Sequence, residues 1–225
     1  MIRDCSYEGL AGCVEISNGA VSVIAASDFG PRMLSYSLAG GENILGWHPA
    51  AEVETDLGRW RPYGGHRLWL APENMPLSYA PDSEPVEVTT EGDRAVRLTG
   101  KTDAAGLRKE MLITLGESGS DVMIDHRLTV TEPCEAAAWA LTIMRPGGTA
   151  IIPNERFAGY SHENLLPIRS AALWSYTDLT DPRWEFTRDA IRLRVDESLG
   201  HPQKIGVLNK QGWAAYEWND LIFRK

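Results

Sequence analysis

Between Tyr63 and Asn74 the chain sets Tyr63, His66, Arg67, Trp69, Glu73 and Asn74 within a dozen residues. A saccharide site needs flat aromatic faces against the C–H patches of a sugar ring. It also needs fixed donors and acceptors at the hydroxyls. This segment supplies both, and Gly64-Gly65 lets the backbone turn sharply or approach another chain segment closely. The competing reading is a packed loop, with Tyr63 and Trp69 in the core and Arg67 paired to Glu73. A second cluster, Tyr176, Asp178, Asp181, Arg183 and Trp184, repeats the same chemistry. Taken alone, it reads as a surface turn closed by an Asp181–Arg183 contact.

Other chemistries find no footing. GxSxG, P-loop and strand-linked GxGxxG patterns are missing from the sequence. No HxxxH or HxH spacing occurs, so neither a metal nor a cofactor is expected. His126 lies in an apolar row and reads as a satisfied core histidine. Cys5, Cys13 and Cys134 match no zinc spacing, and an odd count argues for free thiols in a reducing compartment.

The elements that must position these residues read as strands. The 225 residues carry 43% hydrophobic and 24% charged side chains, ordinary values for one large globular domain. Net charge is −9 with no basic block, which disfavours nucleic acid and leaves a small neutral or weakly charged ligand. No N-terminal apolar run or 18-residue apolar stretch is present, so no membrane association is expected and the default location is cytoplasmic. Oligomeric state is not readable.

Alternation predicts strands at Val21–Ala25, Arg32–Leu38, Leu107–Leu115 and Val122–Val130, with Ala136–Met144 apolar on both faces. Val86/Val88 and Val96/Leu98 flank Glu91-Gly92-Asp93 as a hairpin. Helical periodicity is almost absent, which indicates an all-β sandwich or barrel. Two long aromatic segments, Trp60–Pro85 and Pro153–Trp184, do not read as strands; their aromatic residues call for burial.

Four segments then carry a resemblance. Tyr63–Glu73 (YGGHRLWLAPE), Trp139–Gly148, Trp174–Trp184 and Lys204–Tyr216, with Asp28–Tyr36 ahead of them, resemble an uncharacterised branch of the galactose mutarotase-like superfamily. The resemblance implies a single antiparallel β-supersandwich with a concave sugar-binding face. It implies aldose 1-epimerase activity, or a carbohydrate-binding module without catalysis. In active members a His acid lies on the strand that Ala136–Met144 matches, and a Glu base lies on a late strand. This chain has Trp139 and no histidine on that strand, and it looks shortened at its C-terminus. The substitute expectation is His66 as acid and Glu73 as base. Arg32, Arg67, Asp181 and Arg183 would hold hydroxyls, and Tyr63, Trp69 and Trp139 would supply aromatic faces.

Overall fold

Unit 1 begins as a meander. In the computed structural model, which describes residues 1–75 and 77–225, contacts divide the chain into units Met1–Arg145 and Pro146–Lys225. Strands β1 (Ile2–Tyr7), β2 (Leu10–Ser17), β3 (Val21–Ala26) and β4 (Met33–Leu38) come first. Four short strands follow: β5 (Trp47–His48), β6 (Val53–Thr55), β7 (Gly58–Trp60) and β8 (Tyr63–Gly64). Next come β9 (His66–Ala71), a single 3-10 turn at Leu77–Tyr79, β10 (Glu87–Thr90) and β11 (Ala95–Thr99). The unit closes with β12 (Leu107–Leu115), β13 (Val122–Val130) and β14 (Ala137–Thr142). All pairings are antiparallel, in a six-stranded sheet ordered β1-β2-β3-β4-β9-β14 and a four-stranded sheet ordered β10-β11-β12-β13.

One face of each sheet is apolar because strand side chains alternate. On β12 this puts Leu107, Lys109, Met111, Ile113 and Leu115 on one face, all buried. Lys109 is tolerated there because its Nζ lies 3.4 Å from Asp103 Oδ2. Val21, Val23, Ala25 and Met33 form the matching face of the six-stranded sheet. Burying each such Val, Leu, Ile or Met contributes about 1.5–3 kcal/mol, more than any one surface ion pair supplies. Cross-links show that the sheets face one another. Tyr36 Oη donates to Ser120 O at 2.6 Å, and Asn18 Nδ2 donates to Gly116 O at 3.1 Å. The architecture is thus all-β and sandwich-like.

A register shift modifies β4. Ile24 pairs with Ser35 but Ala25 pairs with Met33, so Leu34 is the extra residue of a bulge. Leu34 consequently joins a second buried cluster with Cys13, Ala26 and Phe29, against which Trp47 and Tyr63 pack.

Unit 2 contains β15 (Thr149–Pro153), β16 (Ala171–Leu173), β17 (Trp184–Phe186), β18 (Ala190–Arg194), β19 (Ile205–Val207), β20 (Ala215–Trp218) and β21 (Leu221–Arg224). Five of them form an antiparallel sheet ordered β17-β18-β15-β20-β21, and β16 pairs with β19. Tyr216 is its buried aromatic, with Oη accepting from Gly148 N at 2.9 Å. Trp174 and Tyr176, expected to be buried, are 37% and 44% exposed. Trp174 instead carries the Lys204 ammonium 4.3 Å above its ring.

The strands expected at Leu107–Leu115 and Val122–Val130 form over those bounds, as does the hairpin of β10 and β11. The segment Trp60–Pro85 corrects the sequence reading: its centre is β9, a strand, and not a loop. His66 through Leu70 are all buried, so both faces of β9 are covered and no polar–apolar alternation is available to reveal it. Among the described residues no helix is long and apolar enough to cross a membrane.

Candidate functional site

The glycine pair before β9 sets its approach. Gly64 and Gly65 have φ of 123° and 71°. A Cβ on Gly65 would stand 2.0 Å from Met33 O, and one on Gly64 would stand 2.1 Å from Gly46 O. Only glycine allows the chain through this slot, with Gly65 N donating to Gly46 O at 3.0 Å and Ile143 N donating to Gly65 O at 2.9 Å. Gly65→Ala is therefore expected to destabilise unit 1 by about 2 kcal/mol or more. A urea denaturation midpoint unchanged from wild type would contradict that.

Strand alternation then sends neighbouring candidates to opposite faces of β9. His66, Leu68 and Leu70 point one way; Arg67, Trp69 and Ala71 point the other. The cross-strand register with β14 agrees, pairing His66 with Thr142 and Trp69 with Trp139.

On the first face lies a histidine pair. His66 is 4% exposed, and its Nδ1 is 2.7 Å from Thr142 Oγ1. Its Nε2 is 2.9 Å from Nε2 of His126, with ring centroids 5.1 Å apart. In the neutral pair only one of these facing nitrogens carries a proton, so one imidazole donates and the other accepts. His126 comes from the other sheet, on β13, where it pairs in register with Met111. The inward residues of β13, Val122, Ile124, His126 and Leu128, are only half-buried, unlike those of β12. The histidine pair is thus reachable along β13.

On the opposite face lies a cationic and aromatic cluster. The Arg67 guanidinium is 4.8 Å from the Trp60 ring centroid and 4.9 Å from that of Trp69. Trp60 and Trp69 stack at 5.7 Å, and Trp139 lies 5.1 Å from Trp69 at an angle of 31°. Trp69 Nε1 donates to Ser78 O. Asp82 joins the two arginines, at 2.9 Å from Arg32 and 3.6 Å from Arg67. Burial, with Arg32 beside it, pulls the Arg67 guanidinium well below its ordinary value, although Asp82 opposes this. Burial would by itself raise the Asp82 carboxyl; Arg32, Arg67 and Lys109 outweigh it and hold the group below its ordinary value.

The remaining expected residues fall as follows. Arg32 is fully buried and donates from NH1 to Pro62 O and Gly64 O and from NH2 to Asp82. It braces the segment leading into β9 and presents no surface to a sugar. Tyr63 stacks on Phe29 at 4.1 Å and belongs to the second buried cluster. Glu73 is exposed and accepts from Tyr79 Oη. It lies beyond the far end of β9, and five strand steps already place Ala71 roughly 16 Å from His66. The structure therefore does not bring His66 and Glu73 together as an acid–base pair.

Asp181 and Arg183 lie in unit 2 and satisfy each other: Nε to Oδ1 is 3.0 Å, and NH2 to Oδ2 is 2.7 Å. Both are buried, and His201 Nε2 adds a contact to Asp181 at 2.8 Å. Arg183, then His201, hold the Asp181 carboxyl well below its ordinary range, against a small opposing effect of burial.

No family model, curated protein or solved structure matches this chain. The reading of the site therefore stands on its chemistry. The residue that sequence reasoning missed is His126. Its position in an apolar row suggested a core histidine, and the signal that it pairs with His66 is a tertiary contact across 60 residues, which no local spacing encodes.

Proposed function

We propose that the chain binds a sugar and acts on it as an aldose 1-epimerase-like protein, with His66 and His126 as the acid–base pair. The finer fold, a mutarotase-like supersandwich, belongs to the same reading. The observation that supports it is the pair itself: two imidazoles on facing sheets, Nε2 to Nε2 at 2.9 Å, reachable along a half-buried strand. Anomer exchange moves one proton onto the ring oxygen and another off the C1 hydroxyl. Both oxygens are bonded to the same carbon, so an acid and a base a hydrogen bond apart suit them. Imidazole is the side chain whose unperturbed proton affinity lets it do either near neutral pH. Thr142 Oγ1, bonded to His66 Nδ1, fixes the orientation of that ring.

A second reading, a carbohydrate-binding module without catalysis, draws on a different observation. Arg67, Trp69 and Trp139 lie on the other face of β9 from His66, so a ring held there would meet no acid–base pair. NMR exchange between aldose anomers, measured on metal-free protein, separates the two. His66→Gln and His126→Gln are each expected to slow exchange at least about a hundredfold. Unchanged rates in an active protein would exclude the pair. Thermal stabilisation by neutral sugars, uronates or sugar phosphates without any anomer exchange supports the module. Neither stabilisation nor exchange with any of them removes the sugar reading.

A further inference from the structure

The geometry points to a second use of the same two nitrogens: we propose that His66 and His126 chelate a divalent transition-metal ion of tetragonal preference, copper(II) above others, with water completing its coordination. This inference does not depend on the sugar reading. It stands on three observations about the pair.

The first is the bite. Imidazole nitrogens bind such ions at about 2.0 Å. With the nitrogens 2.9 Å apart, an ion at that distance from both subtends an N–metal–N angle of about 93°. A tetrahedral ion would need them about 3.3 Å apart. Adjacent positions of a square or tetragonal site are what the pair offers, and copper(II) leads the affinity order for nitrogen ligands. The second is preparation of the ligand. With Thr142 Oγ1 accepting from Nδ1–H, 2.7 Å away, His66 keeps a lone pair on Nε2. His126 then needs only to carry its proton on Nδ1 to present its own Nε2 lone pair, and no proton has to leave the neutral pair. The third is placement. Each ligand sits on a strand of a different sheet, β9 and β13, so neither position depends on a loop, and the half-buried face of β13 admits the ion and its waters.

Among the described residues no cluster of three or more His, Cys, Asp or Glu could hold a metal. The proposed site therefore has two protein ligands, which predicts an exchangeable ion with open water positions, unlike the closed ligand set of a structural site.

The test is a titration of the full chain with copper(II) alone, read by electron paramagnetic resonance and by calorimetry. The expected result is one tetragonal copper per chain, with hyperfine splitting from two imidazole nitrogens. His126→Gln should reduce that signature to one nitrogen and weaken binding at least tenfold. Thr142→Val, which removes only the group orienting His66, should weaken binding about tenfold while keeping both nitrogens. His162→Gln, at an exposed loop histidine, should change neither. Circular dichroism of each variant confirms folding; if His66→Gln does not fold, His126→Gln and Thr142→Val carry the test. Two-nitrogen coordination that survives in folded His126→Gln overturns the proposal, as does a wild-type protein that binds copper no more tightly than that variant.

Discussion

Asp82→Ala is expected to cost about 3–5 kcal/mol of stability, the range for removing one partner from a buried ion pair. Its carboxylate lies 2.9 Å from Arg32, which is fully buried, and 3.6 Å from Arg67, which is 3% exposed. Without it two cations remain in the interior with no carboxylate between them. The same group sets a pH dependence. Arg32 and Arg67 hold its folded pKa below the ordinary aspartate value of about 3.9. The unfolded chain therefore binds the proton first, and Asp82 contributes fully above about pH 4. That contribution is lost as pH falls through the folded value. The measurement is the difference in urea midpoint between wild type and Asp82→Asn from pH 7 downward, which cancels the other carboxylates. The gap should be widest near neutrality and close in acid. Adding Arg67→Met to Asp82→Asn removes one of the orphaned cations and should recover part of the loss. Strict additivity of the two changes would mean that Asp82 and Arg67 do not interact.

How far this arrangement was legible in the sequence depends on how many faces each strand buries. β12 and β13 were readable because one face alternates to solvent, as Met123, Asp125 and Arg127 do on β13. β9 carries the same period but is buried on both sides, and its charged residues, His66 and Arg67, are satisfied by partners far away in sequence. Arg32 and Asp82 are separated by 50 residues and His66 and His126 by 60. Spacing cannot encode such pairs; only folding creates them. Sequence proximity misled in the opposite direction as well. His66 and Glu73 look adjacent in a motif, yet an extended backbone carries them apart, and alternation turns His66 away from Arg67 and Trp69. The aromatic residues of the motif were recognised as a group. What could not be read was that Trp60 and Trp69 would be 7% and 6% exposed, which makes them packing residues more than open platforms.

That distinction underlies the second large effect. Trp69→Ala is expected to cost about 3–5 kcal/mol, the usual loss for truncating a buried Trp. The ring stacks on Trp60, leans on Trp139 and meets Tyr79 edge-on at 5.2 Å, and its Nε1–H is the donor to Ser78 O. Trp69→Phe keeps much of the stacking and removes the donor, so it should cost less, about 1–3 kcal/mol, mostly from the carbonyl left unpaired. An accessible sugar platform behaves differently: Trp69→Phe would weaken ligand-induced stabilisation while leaving the urea midpoint of the free protein in place. Trp69 is also one of the two rings beside the Arg67 guanidinium, which links this site energetically to Asp82. Losing the ring exposes or unpacks a cation that the carboxylate already stabilises. Trp69→Ala combined with Asp82→Asn should therefore depart from the sum of the single effects by more than about 0.5 kcal/mol. An additive pair would confine Trp69 to hydrophobic packing and leave Asp82 as the sole support of the buried arginines.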